Sequence, residues 1–101
     1  MYARMSRIAG LPPERIDEAR QYFEQQELPA LEHQKGFDGV LVMVDRADGR
    51  ATAITFWQTQ EDMRASDRAA DEARAATLEQ VRSSEPSREP LVERYEVLIQ
   101  K

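Results

Sequence analysis

The chain has 101 residues, 19 acidic against 14 basic side chains for a net charge of −5, 41% hydrophobic residues, and no cysteine. That length suits one domain, 1–101, and the scattered basic residues of an acidic chain argue against nucleic acid as a partner. Without cysteine, a disulfide, a thiolate metal site and a Cys nucleophile are all excluded, which fits a reducing compartment, the cytoplasm by default.

Residues 1–8 carry arginines with no apolar run behind them, unlike a signal peptide. The longest apolar run, Val40 to Val44, is far below the roughly 20 residues that span a bilayer, so no membrane partner is expected. Tyr2 to Ile8 reads as a short strand that stops at Ala9-Gly10-Leu11-Pro12-Pro13. A helix is expected from Pro13, whose missing N–H loses nothing in a first turn, with Glu14, Asp17 and Glu18 near the positive end of the dipole. Ile16, Ala19, Phe23, Ala30 and Leu31 make one apolar stripe, and Pro29 within it predicts a kink or two consecutive helical pieces.

Gly36-Phe37-Asp38-Gly39 opens Val40 to Val44, apolar at every position, so both faces of this strand need cover. An Asp-Gly turn within 45–50 joins it to Ala51 to Gln58 as a hairpin. Thr59, with Glu61 and Asp62 behind it, starts a second long helix whose apolar face is marked as far as Val81. Met63, Ser66, Ala70, Ala73, Thr77 and Val81 mark its buried face; Arg64, Asp67, Arg68, Asp71, Glu72, Arg74 and Glu79 fill the rest. So slender a face either packs its backbone close to the sheet or leaves a pocket. Residues 83–90 read as a polar, mobile loop, and Leu91 to Ile99 alternates as a last strand.

The order β-α-β-β-α-β predicts an α+β, ferredoxin-like fold: a four-stranded antiparallel sheet with both helices on one face. The other face would leave apolar residues of the hairpin in water at about 25 cal/mol per Å². A homodimer through the sheet face is therefore expected, weakened by Val42→Glu.

Gly36-Phe37 before an apolar strand, the Asp-Gly hairpin, Ile54-Thr55-Phe56-Trp57 ahead of a Thr-capped helix, and Arg94-Tyr95-Glu96-Val97 give the chain a resemblance to the antibiotic biosynthesis monooxygenase domain family over nearly its whole length. The resemblance implies a dimeric α+β barrel with a small-molecule pocket between sheet and helices in each subunit. It also implies one of two activities found in the family: oxidation of aromatic polyketides without metal or flavin, or haem degradation. Fold alone does not choose between them. The reading it favours is a cofactor-independent, metal-free monooxygenase-like protein acting on a small aromatic or otherwise oxidisable molecule. The alternative is a non-catalytic dimeric domain that binds a small ligand or only assembles.

Oxygenation without a cofactor needs an apolar cavity, a group to remove a phenolic proton and donors for the resulting anion. Trp57 matches a tryptophan that many relatives carry at this strand end; its plainer role is a core aromatic. Polyketide-oxidising relatives carry an amide four residues earlier, where this chain has Ala53. Haem-degrading relatives place a second Trp and a His near positions 66 and 76, where this chain has Ser66 and Ala76, so haem degradation is the lesser reading. Phe23, Met43, Met63, Trp57 and Arg4 are the candidate pocket residues. His33, the one histidine, and Tyr95 are the candidate acid–base groups, with a solvated surface role as the competing account of His33. Tyr22 and Arg7 are further groups able to address a polar substrate. A pocket enclosed by Met43, Phe23, Trp57 and the alanine-lined helix face, with a polar group inside, would favour the enzyme; an interlocked core would favour the binding domain.

Overall fold

The computed structural model describes residues 1–81 and 91–101, so the loop expected over 83–90 lies outside the described residues. Four strands, β1 (Tyr2–Ile8), β2 (Phe37–Asp45), β3 (Arg50–Trp57) and β4 (Leu91–Glu96), form an antiparallel sheet in the order β2-β3-β1-β4. With the helices inserted after β1 and β3, this is the ferredoxin-like α+β arrangement that the element order implies. Register sorts the side chains. Arg4, Ser6, Ala53, Thr55 and Val42 fall on the face toward the helices, while Met5, Ile54, Phe56, Leu41, Met43, Glu93 and Tyr95 fall on the outer face.

After β1 the chain makes a single 3-10 turn at Pro13–Arg15, then α1 (Ile16–Tyr22), a π-helical turn at Phe23–Glu27 and α2 (Leu28–Glu32). The π turn is the local answer to Pro29. A proline inside an α-helix has no N–H for the carbonyl four residues back, and the wider turn just before it absorbs that mismatch. Helical direction is thus kept across Pro29 as two α pieces.

The second helical region departs from expectation. It is two helices, α3 (Gln60–Ala65) and α4 (Asp67–Val81), parted at Ser66. Thr59 caps α3 as expected, its Oγ accepting the Asp62 N–H at 3.0 Å. The break follows from competition for one carbonyl: Met63 O accepts from Arg4 NH1 at 3.1 Å and from the Ser66 hydroxyl at 2.7 Å. The last strand also ends early, at Glu96 rather than Ile99. Val97 N–H still reaches Met1 O at 2.9 Å, while Leu98 and Ile99 stand exposed. Among the described residues no helix is long and apolar enough to cross a membrane.

Candidate functional site

The helix-facing side of the sheet does not close onto the helices. Between them lies a cavity of about 370 Å³. Its floor is made of short side chains from the sheet, Ser6, Ala51 and Ala53, with Ile8, Val40, Val42 and Val44 around them. Its roof is Ile16, Ala19, Phe23 and Leu28 from the first helical region and Ala73, Arg74 and Thr77 from α4. The small residues on α4 and β3 explain the void, because alanine on both sides of a helix–sheet contact leaves space that longer side chains would fill.

Arg74 is the largely covered charged group at the cavity wall. Its side chain is 13% exposed; it pairs with Asp71 in the turn before it, and NH1 donates to Ser6 Oγ at 3.0 Å. Burial pushes its guanidinium below the ordinary value, while Asp71 and Asp67 act the other way. Four charged side chains, Asp17, Arg20, Glu24 and Arg46, stand at the solvent-facing rim of the cavity, each more than half exposed. Arg46 from the hairpin turn donates to Asp17 on α1 at 2.9 Å across that rim, and the bond holds the Asp17 carboxyl below its usual range.

A second buried cluster adjoins this one without opening into it. Arg4 is 2% exposed and its NH1 bonds Asp67 Oδ1 at 2.7 Å, Ser66 Oγ at 3.0 Å and Met63 O. Its guanidinium carbon lies 5.5 Å from the Trp57 ring centroid, a cation–π contact beside an NH2 that makes no hydrogen bond among the described residues. Trp57 is fully buried, donates from Nε1 to Thr55 Oγ1 at 2.9 Å and meets Phe37 edge to face at 5.6 Å.

The expected pocket residues are therefore separated. Phe23 lines the cavity. Trp57, Met63 and Arg4 do not: they are consumed by the buried cluster, where the Trp indole and the Arg guanidinium hold each other and the α3–α4 break. Met43 alternates onto the outer face, lining a groove across the sheet that Met5, Arg7 and Leu91 also line, and Val42, expected at a dimer face, is the residue that turns toward the helix side. His33 is exposed at the end of α2 and is not among the residues lining the cavity. Tyr95 lies on the outer face, where its hydroxyl donates to Glu93 and that bond raises the phenol above its ordinary value, the reverse of an activated base.

Arg74 is what reading by residue type missed. Its spacing was informative: 63, 67, 70, 74 and 77 recur at intervals of four and three, which places Asp67 and Arg74 on the edge of the buried stripe rather than opposite it. Ala53, where polyketide-oxidising relatives carry an amide, does face the cavity. No His, Cys, Met or Tyr is among the residues lining the cavity, so it offers haem iron no such ligand, and among the described residues no group of three or more His, Cys, Asp and Glu could hold a metal ion.

This architecture is the fold of the antibiotic biosynthesis monooxygenase proteins, a class of ferredoxin-like α+β domains. Solved structures similar to this chain include the haem degrader MhuD of Mycobacterium tuberculosis with two haems bound (TM-score 0.68, 19% identity, covering 100% of this chain and 99% of that one). A second is the monooxygenase ActVA-Orf6 of Streptomyces coelicolor in complex with nanaomycin D (TM-score 0.70, 11% identity, 99% and 91% covered). A third is SnoaB, a cofactor-independent oxygenase of Streptomyces nogalater (TM-score 0.66, 17% identity, 98% and 94% covered). No family model matches the sequence. In sequence the chain is similar to Rv2558, an uncharacterised protein of Mycobacterium tuberculosis, with 38% identity over 66 residues; the match takes in 65% of this chain but only 28% of that protein's length.

Proposed function

We propose that this chain binds a small aromatic molecule between its sheet and helices and promotes its oxidation by O₂ without metal or flavin, working as a cytoplasmic homodimer. The observation that carries the reading is the cavity of about 370 Å³ between sheet and helices, lined mainly by apolar side chains and with one largely covered cation, Arg74, at its wall. That volume lies toward the lower end of ligand pockets, roughly 300–1,000 Å³. Two proteins of the same fold, SnoaB and ActVA-Orf6, are oxygenases.

In such a reaction a methylene flanked by aromatic carbonyl chemistry loses two hydrogens and gains one oxygen atom; the other oxygen atom leaves as water. All four electrons come from the substrate. The protein then has three tasks: exclude bulk water from a carbanion that O₂ attacks, hold the ring flat, and stabilise the anion that precedes attack. Ala53, Phe23 and Leu28 serve the first two, and Arg74 with Ser6 the third. One observation favours the binding-only reading. The carboxylates that reach the cavity, Asp17 and Glu24, sit at its rim, and no imidazole lines it, so proton removal has no base deep inside.

Oxygen consumption by the metal-free, flavin-free protein with a panel of anthrones and hydroquinones separates these readings. Uptake above buffer is expected from the wild type, with at least a tenfold fall in Ala53→Phe, which fills the cavity, and little change in His33→Gln. No uptake across the panel would overturn catalysis and leave the binding domain.

A further inference from the structure

We propose that the ligand of this cavity carries an ionised oxygen, a carboxylate or a phenolate, that takes up the guanidinium of Arg74. The inference rests on the ligand-binding reading above and adds the charge of the bound molecule.

Arg4, Arg74 and Arg94 act on one another through space, and Asp67 and Asp71 are the carboxylates that act on Arg74. Asp67 is already shared, bonding Arg4 NH1 at 2.7 Å and Arg94 NH2 at 2.8 Å. Asp71 is left for Arg74 alone, and it holds that guanidinium from the solvent side, with its own side chain 65% exposed. Among the described residues three cations thus face two anions, and Arg74 borders a cavity whose walls are mainly apolar. The rim does not supply the missing anion: Asp17 and Glu24 there are matched by Arg46 and Arg20.

On its inner side, among the described residues, Arg74 donates to one neutral hydroxyl, Ser6 Oγ, at 3.0 Å. A guanidinium that is 13% exposed, beside a hydroxyl and facing apolar space, suits an anionic oxygen better than a carbonyl. The bond would be charge-assisted on both sides and little screened there. Ser6 then serves as a second donor, since its hydroxyl hydrogen is free to turn toward the ligand once its oxygen accepts from Arg74. The ligand so defined is a flat apolar body, two or three fused rings, with one anionic oxygen at the end that enters beneath α4.

Three naphthalenes of one shape test this by isothermal calorimetry at pH 7: 2-naphthoate, the neutral 2-naphthamide and 2-naphthol. Wild type is expected to bind naphthoate at least tenfold more tightly than naphthamide, the scale of a hydrogen bond to a charged group. Arg74→Met is expected to bring the two affinities together, and Arg74→Lys to keep part of the preference. A phenolate absorption band from bound 2-naphthol at pH 8 would assign the anion as phenolate, and its absence beside tight naphthoate binding as carboxylate. Equal affinity for naphthoate and naphthamide would overturn the charge assignment while leaving the cavity as a binding site. No binding of any of the three by wild type, or binding unaltered in Ala53→Phe, would overturn the cavity reading and this one with it. If Arg74→Met fails to fold, Ser6→Ala and the naphthoate-induced shift of the Arg74 Nε–H resonance in wild type decide the matter in its place; a resonance that does not move is a negative result.

Discussion

Arg4 and Arg94 stand directly opposite each other on β1 and β4, a pairing of like charges that by itself destabilises a sheet. Asp67, at the first position of α4, reconciles them: Oδ1 accepts from Arg4 NH1 at 2.7 Å and from Arg94 Nε at 3.4 Å, and Oδ2 from Arg94 NH2 at 2.8 Å. Burial pushes the Arg4 guanidinium below its ordinary value and the hydrogen bond to Asp67 opposes that push, so the buried charge depends on Asp67 for its compensation. Asp67→Asn keeps the shape and removes the charge, leaving two arginines facing each other with one of them buried. A loss of about 3 kcal/mol is expected from urea unfolding, the scale for breaking one partner of a buried pair. The double variant Arg4→Met, Asp67→Leu replaces the pair by apolar bulk and should lose less than Asp67→Asn alone. If it loses more, the network contributes net stability beyond the neutralisation of Arg4.

At the scale of elements, the hairpin turn between β2 and β3 is tied to the start of the first helical region by the Gly49 carbonyl, which accepts from Leu11 N–H at 3.0 Å. Gly49 has φ +67, and a Cβ there would sit 2.2 Å from Leu11 O, a backbone atom that cannot swing aside. Gly10 shares the positive φ, +77, with open space around it. Gly10→Ala is therefore expected to cost about 1 kcal/mol from backbone strain alone. Gly49→Ala should cost about 2 to 3 kcal/mol and release the Leu11 amide to hydrogen exchange. Equal losses for the two would mean that the turn shifts freely and does not pin the cavity rim. The same elements show what the sequence made legible. Alternation and turn chemistry located the strands and the hairpin, and Pro29 announced two helical pieces, because those signals are local. The break at Ser66 was invisible, because its cause, Arg4 on a strand more than sixty positions away, competes for the Met63 carbonyl only after the sheet is built. Likewise Phe23 and the alanine face pointed to a cavity, but Trp57, Met43 and Arg4 were assigned to it by residue type, and residue type does not say on which side of a sheet, or in which of two adjacent clusters, a side chain ends.

For the whole molecule the unresolved balance is the outer face of the sheet. Leu41, Met43, Leu91 and Tyr95 are each between 44% and 54% exposed there, and register sets Met5, Ile54 and Phe56 among them to make a nearly continuous apolar surface. A second copy is the occupant that suits it, because the face carries Arg7 and Glu93 4.0 Å apart, a pair that a two-fold partner would meet in reverse order and complement. Stable dimers bury roughly 800 Å² on each partner, which four strands of half-exposed apolar side chains are able to supply. Sedimentation equilibrium at micromolar concentration is expected to give twice the 11.6 kDa chain mass. Met43→Glu, which places a charge in the middle of this face, should shift the population to monomer. Val42→Glu, one position away but pointing into the cavity, should leave the dimer intact and abolish ligand binding instead. A wild-type monomer would defeat the dimer outright. If Val42→Glu dissociated it while Met43→Glu did not, the copies would be meeting through the helix side of edge strand β2, and the cavity would then be an interface rather than a binding site.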